Sequence, residues 1–273
     1  MPIIINNSYA GSSDGGTGTA PLVKTLGTDA WNRNKVSIDR SALHGMFTFN
    51  IPVDKWKETI NDVEQTSFVN AVSTDGKLVL SSDGVLDNKV SLSSFRHPRY
   101  EPNRGFLYSS SIFIPSPESE AERSFGVFTR DSGAMFRVKS DGNLYAVRRT
   151  TLSGVVSEVE DLITMPDWVD LTKGNTFDIQ FQWRGVGNMY WYINQILVHT
   201  SQLIGTLDEL SIFNPALPIA FECINKGEDT DLICGCVDVS IEGGGVDGKT
   251  YGSIAVNNDT GSVEVTGLNI PVI

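Results

Sequence analysis

The stretch that decides the fold runs from 177 to 198. It reads Phe177-Asp178-Ile179-Gln180-Phe181-Gln182-Trp183, then Arg184-Gly185-Val186-Gly187-Asn188, then Met189-Tyr190-Trp191-Tyr192-Ile193-Asn194-Gln195-Ile196-Leu197-Val198. Apolar and polar residues alternate on both sides of a glycine-containing loop, with the period of two that a half-buried strand requires. The loop sets Trp183 opposite Met189, so Phe181 meets Trp191 and Ile179 meets Ile193. With Phe177, these side chains make one apolar stripe. The other side of the ribbon holds Gln180, Gln182, Tyr190, Tyr192 and Asn194, amide and phenol groups suited to hydroxyl-rich or peptide surfaces. Two readings of that side stand open: the wet face of a sheet, or a ligand-binding surface made by Gln180, Gln182, Tyr190 and Tyr192.

Other ribbons extend the pattern. Asp75-Gly76 supplies the positive φ angles of a two-residue turn and sets Val72 opposite Val79. An Asp131-Ser132-Gly133 turn is expected to place Phe128 opposite Phe136, and an Asp141-Gly142 turn to place Val138 opposite Tyr145 and Phe136 opposite Val147. Phe128, Phe136, Val138, Tyr145 and Val147 then share a face, with Thr129, Arg137 and Lys139 on the other and Met135 and Leu144 as exceptions. Only residues 53–64 read as a short helical piece. From Val36 onward, short alternating segments separated by Gly, Pro, Asn and Asp point to an all-β, antiparallel, two-sheet sandwich over residues 36–245.

Residues 6–21, with Ser12-Ser13-Asp14-Gly15-Gly16-Thr17-Gly18-Thr19, are poor in apolar side chains and rich in glycine, and residues 1–35 are expected to form a flexible arm. Residues 246–273, with Ile254-Ala255-Val256 and Val263-Glu264-Val265, read as a short β extension that either closes its own sheet or adds strands to a neighbour.

A chain of 273 residues with 40% hydrophobic and 20% charged residues can fill the core of one large sandwich. Its formal charge of -12 repels phosphates and excludes nucleic acid as a natural partner. Met1-Pro2-Ile3-Ile4-Ile5-Asn6-Asn7 lacks the basic and long apolar regions of a signal peptide, and no apolar run is long enough to span a bilayer. A turn over residues 226–230 would set Cys223 opposite Cys234 with Cys236 on the same face. Small buried thiols left reduced are the expectation there, beside the alternatives of a cross-strand disulfide or an incomplete metal site.

The 177–198 ribbon resembles the concanavalin-like lectin and glucanase superfamily, whose members often pair an alternating strand with an aromatic-rich one ending in Asn or Asp and an aliphatic pair. This likeness implies a jelly-roll fold. A broader one runs from 95 to 244, through Arg104-Gly105-Phe106-Leu107-Tyr108-Ser109, Phe125-Gly126-Val127-Phe128, Asn214-Pro215-Ala216-Leu217-Pro218 and Gly235-Cys236-Val237-Asp238-Val239. These phrases resemble virion structural proteins of tailed bacteriophages. The resemblance implies a non-enzymatic protein made in the host cytoplasm and displayed on a phage head or tail. Its partners would be other virion proteins and itself, as a homotrimer. The alternative is a lectin-like host-attachment module binding a host glycan.

Glucanases of that superfamily carry Glu-x-Asp-x-x-Glu or a near variant, because nucleophile and acid must flank one glycosidic bond. No such run occurs here. Glu158-Val159-Glu160-Asp161 comes closest and reads as a solvated edge, while Glu118, Glu120 and Glu122 read as a charged connection. His44, His97 and His199 lack metal-ligand spacing. Asp83, Asp87 and Asn88, or Asp229 and Asp231, are loop acids without the spacing of a calcium site. No nucleophile elbow, phosphate loop or dinucleotide fingerprint is present. The sequence therefore assigns no catalytic residue, metal or cofactor.

Overall fold

Alternation sends every second side chain to one face of a sheet, and that apolar face must be covered by another layer. The computed structural model of the protein describes residues 40–98, 104–152, 154–181, 188–202, 212, 214 and 216–242. Two antiparallel sheets lie face to face. The first runs β14 (Ile196–Gln202), β13 (Asn188–Ile193), β12 (Asn175–Phe181), β7 (Phe106–Phe113), β16 (Asp231–Ile241), β5 (Lys77–Ser81) and β4 (Ala71–Thr74), with β1 (Arg40–Met46) also paired to β16. The second runs β11 (Val155–Leu162), β10 (Leu144–Leu152), β9 (Gly133–Val138), β8 (Ala121–Phe128), β15 (Ile219–Asn225), β6 (Lys89–Ser94), β2 (Trp56–Ile60) and β3 (Val63–Glu64). The chain crosses repeatedly between layers, as from β5 to β6, β7 to β8 and β11 to β12, which makes the sandwich a jelly roll. The arm expected at 1–35 and the extension expected at 246–273 lie outside the described residues.

The core sits between the layers. Phe136 stacks on Phe125 at 5.6 Å and meets Phe177 and Trp191 edge-on at 5.2 and 4.9 Å. Those rings come from both sheets and are fully buried. Phe136→Ala should cost about 3–5 kcal/mol, by lost transfer energy and an unfilled cavity. Urea denaturation checks this, and a loss below about 1 kcal/mol would mean the sheets do not close over that ring.

Three registers differ from expectation. Phe128 pairs with Gly133 rather than Phe136, because the turn tip is Arg130-Asp131 and the Thr129 hydroxyl accepts hydrogen bonds from the amides of Asp131 and Ser132. Gly133 lies within the strand at φ 149°, where an added Cβ would sit 2.4 Å from the Phe128 Cα. Leu144 pairs with Val138 and Ala146 with Phe136, because Gly142 at φ 74° ends a three-residue turn, Ser140-Asp141-Gly142, and not a two-residue one. Leu144 and Ala146 therefore enter the core, while Phe128, Met135, Tyr145 and Val147 cluster on the outside of the second sheet. The 177–198 ribbon pairs Ile179 with Trp191 and Phe177 with Ile193, two residues from the expected register. An even slip keeps every side chain on its face, so the stripe is buried as expected. The Asp75-Gly76 turn pairs Val72 with Val79 as expected.

The helix expected at 53–64 is a hairpin. Trp56 and Glu58 point inward, Asn61 and Asp62 both take positive φ, and Ile60 pairs with Val63. Cys223 and Cys234 are buried free thiols in different sheets, so they are not cross-strand partners. Burial pushes both thiols well above the usual cysteine range. A bulge between Cys234 and Val237 turns Cys236 outward.

Candidate functional site

The outer face of the second sheet gathers most of its charge. Register places Glu222 of β15 between Ser124 of β8 and Ser91 of β6, with Thr59 of β2 beyond Ser91. Around this row lies a cleft of about 230 Å³. Phe128, Ala220 and Pro218 give it apolar surface, Thr59, Ser91, Ser93 and Thr129 give it hydroxyls, and Lys57, Lys89, Arg130, His97, Asp62 and Glu222 give it titratable groups. An apolar patch beside convergent polar groups is the usual make-up of a small-ligand site.

Glu222 is the unusual member. It is 4% exposed, within the otherwise apolar strand β15, where burial of a carboxyl is costly. Burial pushes its pKa up, and the charges of Arg149, Lys89 and Arg137 only partly oppose that. The group therefore keeps its proton to higher pH than an ordinary glutamate. Asp62 lines the same cleft, held 2.6 Å from the Lys89 ammonium and 3.8 Å from Arg130. His97, at the rim, has its pKa lowered by burial and then by the Lys57 charge.

Beside the cleft, Glu158-Val159-Glu160-Asp161 is the solvated edge expected, lying on the exposed edge strand β11, and its acids also join an ion network with the neighbouring strands. Arg137, 5% exposed, reaches Glu158 at 2.8 and 3.2 Å and Glu160 at 2.7 Å, and it donates to Ser124 at 3.1 Å. Arg149 adds a bond of 2.6 Å to Glu158 and lies over the Phe128 ring at 5.6 Å. Burial would raise the Glu158 pKa, but the bonds and charges of Arg137 and Arg149 outweigh it and hold the carboxyl at about 2. Saturated in this way, Glu158 is a positioning group and not a free base. Asp161 points to the other side, towards His199, Ser201 and Arg148. That Ser–His–Asp set is not a nucleophile device, since the same His199 nitrogen faces both partners and the buried Ser201 hydroxyl donates to Asp161.

The surface expected from sequence lies on the opposite side of the sandwich. Gln180, Tyr190 and Tyr192 project together from β12 and β13 on the outer face of the first sheet, and Gln182 lies outside the described residues. Gln180 is 7% exposed and tied to Glu242, and the Tyr192 hydroxyl donates to Gln180 at 3.5 Å. Both tyrosines are half-buried. Sequence reading passed over Glu222 because it sits in an apolar strand, Ile219-Ala220-Phe221-Glu222-Cys223. A lone acid in such a run is the signal that was there to find.

Among the described residues no group of three or more His, Cys, Asp or Glu side chains gathers as metal ligands. The loop acids considered for calcium are occupied internally. Asp83 accepts from Val85 and Asn88, and Asp229 accepts from Ser82 and Asn225. The three histidines stay apart: His44 beside Asp238, His97 at the cleft, and His199 beside Asp161.

No protein-family model matches the sequence, and no curated protein does. Solved structures do match. A family 16 glycosyl hydrolase from Mycobacterium smegmatis superposes with a TM-score of 0.53 at 11% identity, covering 73% of this chain and 100% of that one. The fold is the concanavalin-like jelly roll. A beta-1,3-glucanase from Mycobacterium marinum gives 0.53 at 11% identity, covering 73% and 98%. The beta-agarase A of Zobellia galactanivorans gives 0.52 at 11%, covering 74% and 91%. Identities this low carry fold and not activity. The expectation of a non-enzymatic virion structural protein is corrected on this comparison: these neighbours are a glycosyl hydrolase, a glucanase and an agarase, and nothing in them or in the fold shows a phage origin or a trimer.

Proposed function

We propose that this protein is a carbohydrate-active enzyme that hydrolyses a glycan in the cleft over β2, β6 and β15. The observation that carries the reading is Glu222, a buried residue whose carboxyl pKa is raised by that burial, at the wall of a cleft rich in hydroxyls. Glycoside hydrolysis needs one carboxylic acid to protonate the leaving oxygen and one carboxylate on the other side of the bond, and environments that push two acids apart assign the roles. Glu222 is the acid. Asp62, ion-paired with Lys89, is the carboxylate. Water adds to the anomeric carbon as the glycosidic C–O bond breaks. Glu222 gives its proton to the departing sugar oxygen, and Asp62 takes one from the water. The two acids come from the β2–β3 turn and from strand β15, far apart in sequence, so no compact carboxylate motif is present.

The test is release of reducing ends from a panel of polysaccharides. Cleavage of at least one, lost in both Glu222→Gln and Asp62→Asn, is the expected result. Cleavage that survives both changes would refute the assignment. Tyr190 and Tyr192 offer a second surface on which a glycan would lie. If the double change of Tyr190 and Tyr192 to alanine stops cleavage while Glu222→Gln remains active, the site belongs on the first sheet.

A further inference from the structure

The cleft's charge runs against that of the whole chain. The protein carries a formal -12, yet Lys57, Lys89 and Arg130 converge on one cleft where, among the described residues, the lining acids are Asp62 and Glu222. Asp62 answers Lys89 at 2.6 Å and stands 3.8 Å from Arg130, so one ionised carboxylate faces two cations. Lys57 stands 3.8 Å from Glu64, whose side chain is 56% exposed. With Glu222 counted as well, three cations face two acids in the lining. A surplus of positive charge is left between Lys57 and Arg130, and His97 registers it, since after burial the Lys57 charge is what most lowers its pKa.

We propose that the sugar bound in this cleft carries an anionic group, a carboxylate or a sulfate ester, received between Lys57 and Arg130. The inference rests on the glycan reading above and specifies its substrate class. Three cations gathered against two acids in one cleft of an acidic protein are not needed for solubility, which the rest of the surface supplies. It lowers the free energy of an anion placed between the two groups, with hydroxyls of Thr59, Ser93 and Thr129 within the same cleft for the sugar. Long-range repulsion from the net charge does not prevent binding, since at physiological salt it is screened beyond about 8 Å while direct contacts persist.

The experiment measures binding of the full chain to three ligand sets by calorimetry: oligosaccharides of a uronic acid, sulfated galactan oligosaccharides, and neutral glucan and galactan oligosaccharides of equal length. One anionic set should bind at least about tenfold more tightly than the neutral ones, the Lys57→Gln/Arg130→Gln double variant should erase that margin, and added salt should weaken binding. The salt slope discriminates, because a global charge of -12 alone would make salt strengthen the binding of an anion. Which set binds tells carboxylate from sulfate. Neutral oligosaccharides binding as well as anionic ones, or a double variant that binds anions unchanged, would overturn the inference. If neutral chains bind and Glu222→Gln abolishes their cleavage, the glycan reading stands and only the charge preference fails. If no set binds, both fall.

Discussion

Glu222→Gln is expected to lose cleavage by about 100-fold or more while making the protein more stable at pH 8. A general acid contributes a proton at the leaving oxygen, and an amide of the same shape has none to give. The stability half follows from the raised pKa of Glu222. Between the ordinary glutamate value and the raised one, the folded state holds a proton that the unfolded state has released, so stability falls as pH rises through that window. Glutamine does not titrate. The margin of the variant over the wild type should therefore be small near pH 4 and grow towards pH 8, as read by thermal melts across that range. A residue retained for folding gives the opposite result. If the variant melts lower at every pH, Glu222 is structural and the assignment of the acid is wrong. The combination of lost activity and gained stability is the mark of strain held at a working site.

Arg137→Ala should be the most destabilising change on the outer face of the second sheet, at about 3 kcal/mol near neutral pH. The arginine is buried, and its removal strands Glu158 and Glu160 beside each other with only Arg149 and Lys139 in reach. The pH dependence distinguishes this network from simple loss of packing. Glu158 has a depressed pKa, about 2 against an ordinary 4.5, so its contribution is present above pH 4.5 and is lost as pH falls towards 2. After discounting for its partial exposure that contribution is about 1–3 kcal/mol. The deficit of the variant should shrink as pH falls from 5 to 2 in urea titrations. A deficit that stays constant over that range would assign the effect to the lost aliphatic stem of the arginine alone.

The two sites differ in how readable they were. The buried stripe of Phe177, Ile179, Phe181, Trp191 and Ile193 was legible because alternation alone determines which face a side chain takes, and the register slip there was even. In the 125–149 region the slips were odd, three residues at the first turn and one at the second, so Phe128, Tyr145 and Val147 landed outside and Leu144 and Ala146 inside. The details that decide those slips are small: a threonine hydroxyl capping one turn, and one glycine with positive φ lengthening the other. Residues 53–64 misled for a related reason. Asn61-Asp62 closes a hairpin without any glycine to announce it.

The sequence by itself determined an all-β sandwich, the buried stripe of Phe177, Ile179, Phe181, Trp191 and Ile193, and the absence of a compact catalytic motif. These follow from period two and from the residue types available, both local properties of the chain. Only the tertiary structure decided that Glu222, Asp62, Lys57 and Arg130 share a cleft, that Glu158 is locked by two arginines, and that Cys223 and Cys234 lie in different sheets. Each depends on which strands become neighbours across a sheet. That choice is made by packing between layers and by turn geometry, and residues brought together in this way leave no spacing in the sequence to read.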